Sequence, residues 1–325
     1  MKIGLLAIII GGGVLIGLVG WFGAQTIGYE VLAADWAIPA IIALHLFQLY
    51  LSAIAWRISV GMRRPRMIVY FRIRWIRESV NSLLPVAQMG GSLVGIRMLA
   101  QRGVPGARAG AGTTLDLTVE ALTQFIWTVT GIGVLAVIST DQSWRPWLGG
   151  ALLTMGLGVV GFVLAQRAGM LRLIEGLALR LQRIFPKLSM EAVRGLHAEL
   201  MKLQDNRAAL AKASGIHLLA WVIGTFEVWL VLDAMGAAVS LPTALVIESL
   251  GMAARSAGFV VPGALGVQET GFILVCGLFQ IPPDTAIALS MVKRVRELAV
   301  GVPGLVAWQL SEGKRLARKH RAAGN

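Results

Sequence analysis

The chain holds a single cysteine, Cys276, set in an apolar run, and four histidines without ligand spacing. No disulfide framework can be built from one thiol, and the scattered histidines offer no zinc-type constellation, so no metal site is expected. Charge is scarce as well: of 325 residues only 14% are Asp, Glu, Lys or Arg, well below what covers a soluble surface. No Gly-Lys-Ser/Thr follows a glycine loop, which removes an ATP site of the Walker type. Gly263 to Gly266 lacks Gly-x-Gly and a preceding strand, so it is no dinucleotide loop, and no Ser-centred elbow with His and Asp is visible. No cofactor is therefore expected. The alternating ten-residue segments of an outer-membrane barrel are missing too.

What remains is apolar. Hydrophobic residues make up 56% of the chain and gather in Ile3–Phe22, Ile38–Ala55, Leu148–Ala165 and Ile216–Leu232, each of a length that crosses a hydrocarbon core as a helix. The expected fold class is an all-α polytopic membrane protein, one integral membrane domain over residues 1–325. The first run follows Lys2 but is too long for a signal h-region and lacks a clean cleavage site, so it reads as a spanning helix. Crossings fall near 3–23, 37–60, 111–139, 147–166 and 214–234, with Thr285–Leu310 completing about six.

The formal net charge of +13 would point a soluble protein toward nucleic acid, but position overrides the total and no nucleic acid is expected. Lys and Arg crowd Arg57–Arg108, Arg167–Lys212 and the tail 313–325, while Gln25–Asp35, Asp141–Trp147 and Met235–Leu241 carry only Arg145. By the positive-inside rule the basic segments and both termini are cytoplasmic. Such patches attract anionic lipid headgroups, which become expected partners. Between residues 168 and 207 Met170, Leu173, Ile174, Leu177, Leu181 and Ile184 recur at helical spacing, predicting a cytoplasmic amphipathic hairpin at the interface.

Two places resist a simple crossing. Arg77–Met98, "RESVNSLLPVAQMGGSLVGIRM", has basic flanks and holds Asn81, Pro85 and Gly90-Gly91 at its centre. It reads as a re-entrant hairpin from the cytoplasmic side. Leu241–Gln280 has flanks without Lys or Arg and contains "RSAGFVVPGALGVQETG", so it reads as a hairpin of opposite sense. Opposed hairpins raise the expectation of an inverted repeat with a midplane site, although no sequence repeat is clear.

Charge at that depth is costly and faces an interior, a partner or a substrate path. Arg77, Glu78 and Asn81 in the first hairpin and Glu248, Arg255 and Glu269 in the second are candidates for one shared cavity. Glu248 and Arg255 lie seven apart on one helical face. Glu269 opens the returning half-helix, where the dipole favours a carboxylate. Asp116 and Glu120, at i and i+4, want a cation from Arg77, Arg97, Arg255 or Lys293. Structural pairing, such as Arg255 with Glu269, is the alternative for each of them. His45 and His217 read as packing residues.

With these motifs quoted, the chain resembles the flippase-like membrane family related to the transmembrane part of lysylphosphatidylglycerol synthases, and within it the hopanoid-associated HpnL branch. The resemblance rests on Asn-x3-Pro-x4-Gly-Gly and Pro-Gly-x2-Gly-x-x-Glu and spans nearly the whole sequence. It implies an inner-membrane protein that moves a lipid, in this branch a hopanoid-bearing one, and not aminoacyl transfer, since a basic tail stands where the synthases carry a catalytic domain. Carried over by motif, the functional positions are Asn81, Pro85, Gly90, Gly91 and Arg97, then Pro262, Gly263, Gly266 and Glu269. Where the family often has an acid after the paired glycines, this chain has Ser92.

The leading expectation is a flippase-like lipid transporter and no enzyme, with Arg77 or Arg255 gripping a polar or anionic headgroup and Glu248 and Glu269 balancing charge or taking up protons. An intramembrane lipid-modifying enzyme and a scaffold for lipid-synthesis enzymes are the alternatives. A homo-oligomer is compatible with all three.

Overall fold

The computed structural model describes residues 13, 16–84, 90–139, 145–168, 195–259 and 261–323. All its regular elements are helical: α1 (Ala24–Ala33), α2 (Ala37–Val60), α3 (Met67–Leu83), α4 (Gly90–Ala100), α5 (Gly106–Ile138), α6 (Arg145–Arg167), α7 (Leu196–Gln204), α8 (Arg207–Ala234), α9 (Leu241–Ala257), a 3-10 turn (Pro262–Ala264), α10 (Val267–Gly277) and α11 (Pro283–Ala323). Four of them, α2, α5, α6 from Gly149 and α8, are long and apolar enough to cross a membrane. Their outward faces carry Val137, Trp147, Leu153 and Leu219 in the open. In water such a surface marks an aggregation liability; against acyl chains it is the solvated surface.

The expected crossings at 37–60, 111–139, 147–166 and 214–234 coincide with α2, α5, α6 and α8. Helix α8 starts earlier than apolarity indicates because Asn206 caps it, its side-chain oxygen accepting from the Ala209 N–H at 3.0 Å. The stretch 25–35, read as an outer connection, is instead mostly the helix α1, joined to α2 by a short turn and seated through buried Ile27 against Ile287 and Ala288. Helix α11 runs through Pro303 and into the tail as far as Ala323. Of the hairpin expected over 168–207, residue 168 and residues 195–207, with α7, fall within the described residues. The amphipathic repeat at 170–184 lies outside them.

Helices α3 and α4 form one hairpin, of 17 and 11 residues; α9 and α10 form another, also of 17 and 11. Each stands between two long helices: α2 and α5 flank the first, α8 and α11 the second. Contacts are reciprocal. The long limb α3 packs on α11, the long limb α9 packs on α5, and α2 and α8 lie side by side as the most extensive pairing among the described residues. One buried core gathers Leu232, Ile247, Phe272 and Leu289 around the second hairpin. Another gathers Trp56, Tyr70, Ile76 and Leu99 around the first.

Candidate functional site

The turn between α9 and α10 is built by glycine. Gly266 has φ +76°, which a residue with a Cβ adopts only under strain. Its N–H donates to Glu269 Oε2 at 2.7 Å, so the carboxylate caps the orphan donors of the returning helix. Glu269 Oε1 also accepts from Ser290 Oγ at 2.8 Å and Arg294 Nε at 2.7 Å. Arg294 reaches back to the carbonyl of Gly263 at 3.1 Å. Glu269 is thus fully buried and spent on holding the break. The expected Arg255–Glu269 pair does not form, because Arg255 is turned the other way, to Glu297 at 2.5 Å and to Gln268.

In the first hairpin Asn81 does the corresponding work. Its Oδ1 accepts from the N–H of Gly91 at 2.8 Å, closing α3 onto the start of α4. The hairpin tips then meet: the space where Gly263 would carry a Cβ lies 3.5 Å from the carbonyl oxygen of Ser82.

Below the tips sit two clusters of buried charge. Arg74 and Arg77, one turn apart on α3, face Asp116 and Glu120 on α5. Arg74 Nη1 and Arg77 Nη1 share Asp116 Oδ2 at 3.1 and 2.9 Å, and Arg74 Nη2 reaches Glu120 Oε1 at 2.8 Å. His217 Nε2 stands 3.2 Å from the other Asp116 oxygen, and Arg77 lies over the Trp56 ring at 5.6 Å. The second cluster is a ladder on α11. Lys293 Nζ binds Glu248 Oε2 at 2.5 Å, Arg296 binds Glu227, and Arg255 binds Glu297. Arg296 is also 3.7 Å from Glu297. These charges are tolerable in a low-dielectric interior only because each is paired.

Between the clusters is a cavity of about 470 Å³, walled by the long limbs α3 and α9 of the two hairpins together with α2, α5, α8 and Arg296 of α11. The expected residues Arg77, Glu78, Asn81, Glu120, Glu248 and Arg255 line it. Asp116, Gly90, Gly91, Gly263, Gly266 and Glu269 are not among the lining residues; they shape its walls. Arg97 stands apart, half-exposed and 3.1 Å from Glu312, and supplies no charge to Asp116. Pro85 lies outside the described residues. Pro262 opens the 3-10 turn.

Sequence reasoning missed Arg74, His217, Gln124 and Arg296, which also line the cavity. Arg74 was legible as the residue one turn before Arg77. The dense Lys293, Arg294, Arg296 and Glu297 in an otherwise apolar helix signalled the ladder, and Lys293, expected as a cation for Asp116 and Glu120, pairs instead with Glu248. Gln124 left no signal: its Nε2 donates to Ser256 Oγ at 2.7 Å and to the Met252 carbonyl at 3.1 Å, a link fixed by how α5 crosses α9.

Spanning apolar helices around a walled, charged cavity define a multi-pass helical membrane protein. The family described as the lysylphosphatidylglycerol synthase TM region matches residues 5–304, and the chain belongs to that family, which points to a role connected with membrane lipid. No curated protein and no solved structure matches the chain.

Proposed function

We propose that the protein is a flippase-like lipid transporter of a bacterial inner membrane, with both termini cytoplasmic. The observation that carries this reading is the cavity of about 470 Å³ lined with polar and charged groups from two broken helices, inside a body whose outer faces are apolar. Limbs of 17 and 11 residues reach only about 25 and 16 Å as helix, less than the ~30 Å of a hydrocarbon core. They enter the membrane and return, from opposite sides, as an inverted repeat. Irregular backbone at such depth persists where it is buried in protein or lines a wet path. The headgroup occupies the cavity while the acyl or polycyclic tail stays in lipid. A hopanoid-bearing lipid fits the branch the motifs resemble. The protein itself carries out no bond-making chemistry, and its basic cytoplasmic segments hold anionic headgroups of the surrounding leaflet.

The test is scrambling in proteoliposomes made with the purified chain and lipids bearing a fluorescent group on one acyl chain, with dithionite added outside. Transport carries inner-leaflet probe to the quencher, so fluorescence falls past the level of protein-free vesicles. Ser256→Trp, which places an indole in the cavity, is expected to return the signal to that level. Scrambling by the wild type that survives this substitution would sink the reading.

A further inference from the structure

The charges lining the cavity are already committed to one another. Of its lining cations, Arg74 and Arg77 are held by Asp116 and Glu120, Arg296 by Glu227 and Glu297, and Arg255 by Glu297. An anionic headgroup would have to displace a buried carboxylate from its guanidinium, and the displaced acid would be left uncompensated at low dielectric. One lining acid stands outside these contacts: the carboxylate of Glu78 makes no ion pair within 4 Å and no hydrogen bond among the described residues, and Arg74 attracts it only from further off. The wall therefore opposes a negative charge rather than inviting it.

What the wall does offer is hydrogen bonding without net charge. Asn81 spends its Oδ1 on the Gly91 N–H and keeps its amide N–H groups unpaired among the described residues. The Glu78 carboxylate is an acceptor, and Asn81, Ser82 and Ser256 add amide and hydroxyl groups. Hydroxyls both donate and accept, so a group rich in them satisfies unpaired N–H and carboxylate together, where a phosphate answers only the N–H groups. Trp221 also lines the cavity, its Nε1 held by Thr123 Oγ1 at 3.3 Å, and an anchored ring gives a flat apolar surface beside the polar groups.

We infer that the cavity selects a lipid whose headgroup is an uncharged polyhydroxyl group, a sugar or a linear polyol, over an anionic phospholipid headgroup. The inference rests on the transport reading and names its substrate class. Charge-assisted bonds from hydroxyl to Glu78 set the preference, and the absence of a spare cation keeps phosphate out.

The experiment uses the full chain in mild detergent and a tritiated monoglucosyl didecanoylglycerol, with didecanoyl phosphatidylglycerol and phosphatidylethanolamine as competitors in a bead-capture binding assay. Saturable binding of the glycolipid is expected, with phosphatidylglycerol competing at least roughly tenfold less well, a difference of ~1.4 kcal/mol. Glu78→Gln is expected to weaken glycolipid binding and to narrow the gap to phosphatidylglycerol. Thermal unfolding of the same preparation checks that the variant is folded, and Ser82→Ala, which removes a lining hydroxyl and no charge, is expected to weaken both lipids alike and so leave the gap unchanged. Tighter binding of phosphatidylglycerol or phosphatidylethanolamine by the wild type overturns the headgroup class and leaves transport standing. No saturable binding of any of the three, together with no scrambling, overturns both.

Discussion

Gly91 approaches the backbone carbonyl of Arg77 so closely that a β-carbon at that position would lie 2.1 Å from the oxygen. The residue whose side chain enters the buried charge cluster thus has its main chain pressed against the opposite limb of its own hairpin. The Gly-Gly motif is a packing requirement that places Arg77, and only through Arg77 a feature of the site.

Gly91→Ala is therefore expected to spread the hairpin and strain the Asn81 cap. Overpacking of this sort costs about 1–3 kcal/mol, read as a lower unfolding temperature in detergent. Gly133→Ala on α5, where a Cβ meets nothing within 4 Å, is expected to leave stability unchanged or slightly raised.

Asp116 carries two guanidiniums and a histidine. Asp116→Asn leaves Arg74 and Arg77 with Glu120 alone, and loss of one member of a buried ion cluster costs about 3–5 kcal/mol. Adding Arg77→Gln is expected to recover part of that loss, so that the double variant is less destabilised than the sum of the single ones. Additive losses in denaturant titrations would mean that the two groups do not interact.

Arg294 ties the Gly263 carbonyl to Glu269 across the helix break. In Arg294→Met two bonds to a charged group disappear, each of about 1.5–3 kcal/mol. The effect is local: hydrogen exchange at residues 261–266 is expected to quicken by tenfold or more, while α2 and α8 exchange as before. Equal acceleration throughout would show that the clamp supports the whole bundle.

Beside α7, Arg108 Nη1 and Lys202 Nζ bind Glu199 at 2.9 and 3.0 Å, and Arg108 Nε donates to the Val60 carbonyl. The hydrogen bonds from Arg108 and Lys202 hold the Glu199 carboxyl below its ordinary value of 4.5. A depressed carboxyl contributes stability above its unfolded value and loses it as pH falls through the folded one. The protection of the α7 amides, taken as exchange relative to the intrinsic rate at each pH, is thus expected to fall below pH 4.5. In Glu199→Gln that protection is expected to be lower at neutral pH and to lose this pH dependence.

The two hairpins were legible because helix breakers inside apolar sequence have few physical solutions. Arg77–Met98 and Leu241–Gln280 each hold Pro and Gly where a crossing needs neither, and the chain forms paired limbs at both. Their likeness is one of limb length and contact pattern, 17 and 11 residues in each, and residue identity does not carry it.

The sequence by itself determined that the chain is helical, lies largely in lipid, breaks twice and keeps unusual charge near both breaks. Those properties depend on local composition, on the period of the apolar residues and on the cost of bare charge in hydrocarbon. Which charge meets which was decided only by the tertiary structure. Asp116 finds Arg77 across 39 residues and His217 across 101. Arg255 turns from Glu269, its neighbour in the motif, to Glu297, 42 residues on. Ion pairing acts over a few ångströms in space and is blind to separation along the chain, so the partners are fixed by how α3, α5, α8, α9 and α11 cross. The same crossings pair each lining arginine among the described residues with a carboxylate.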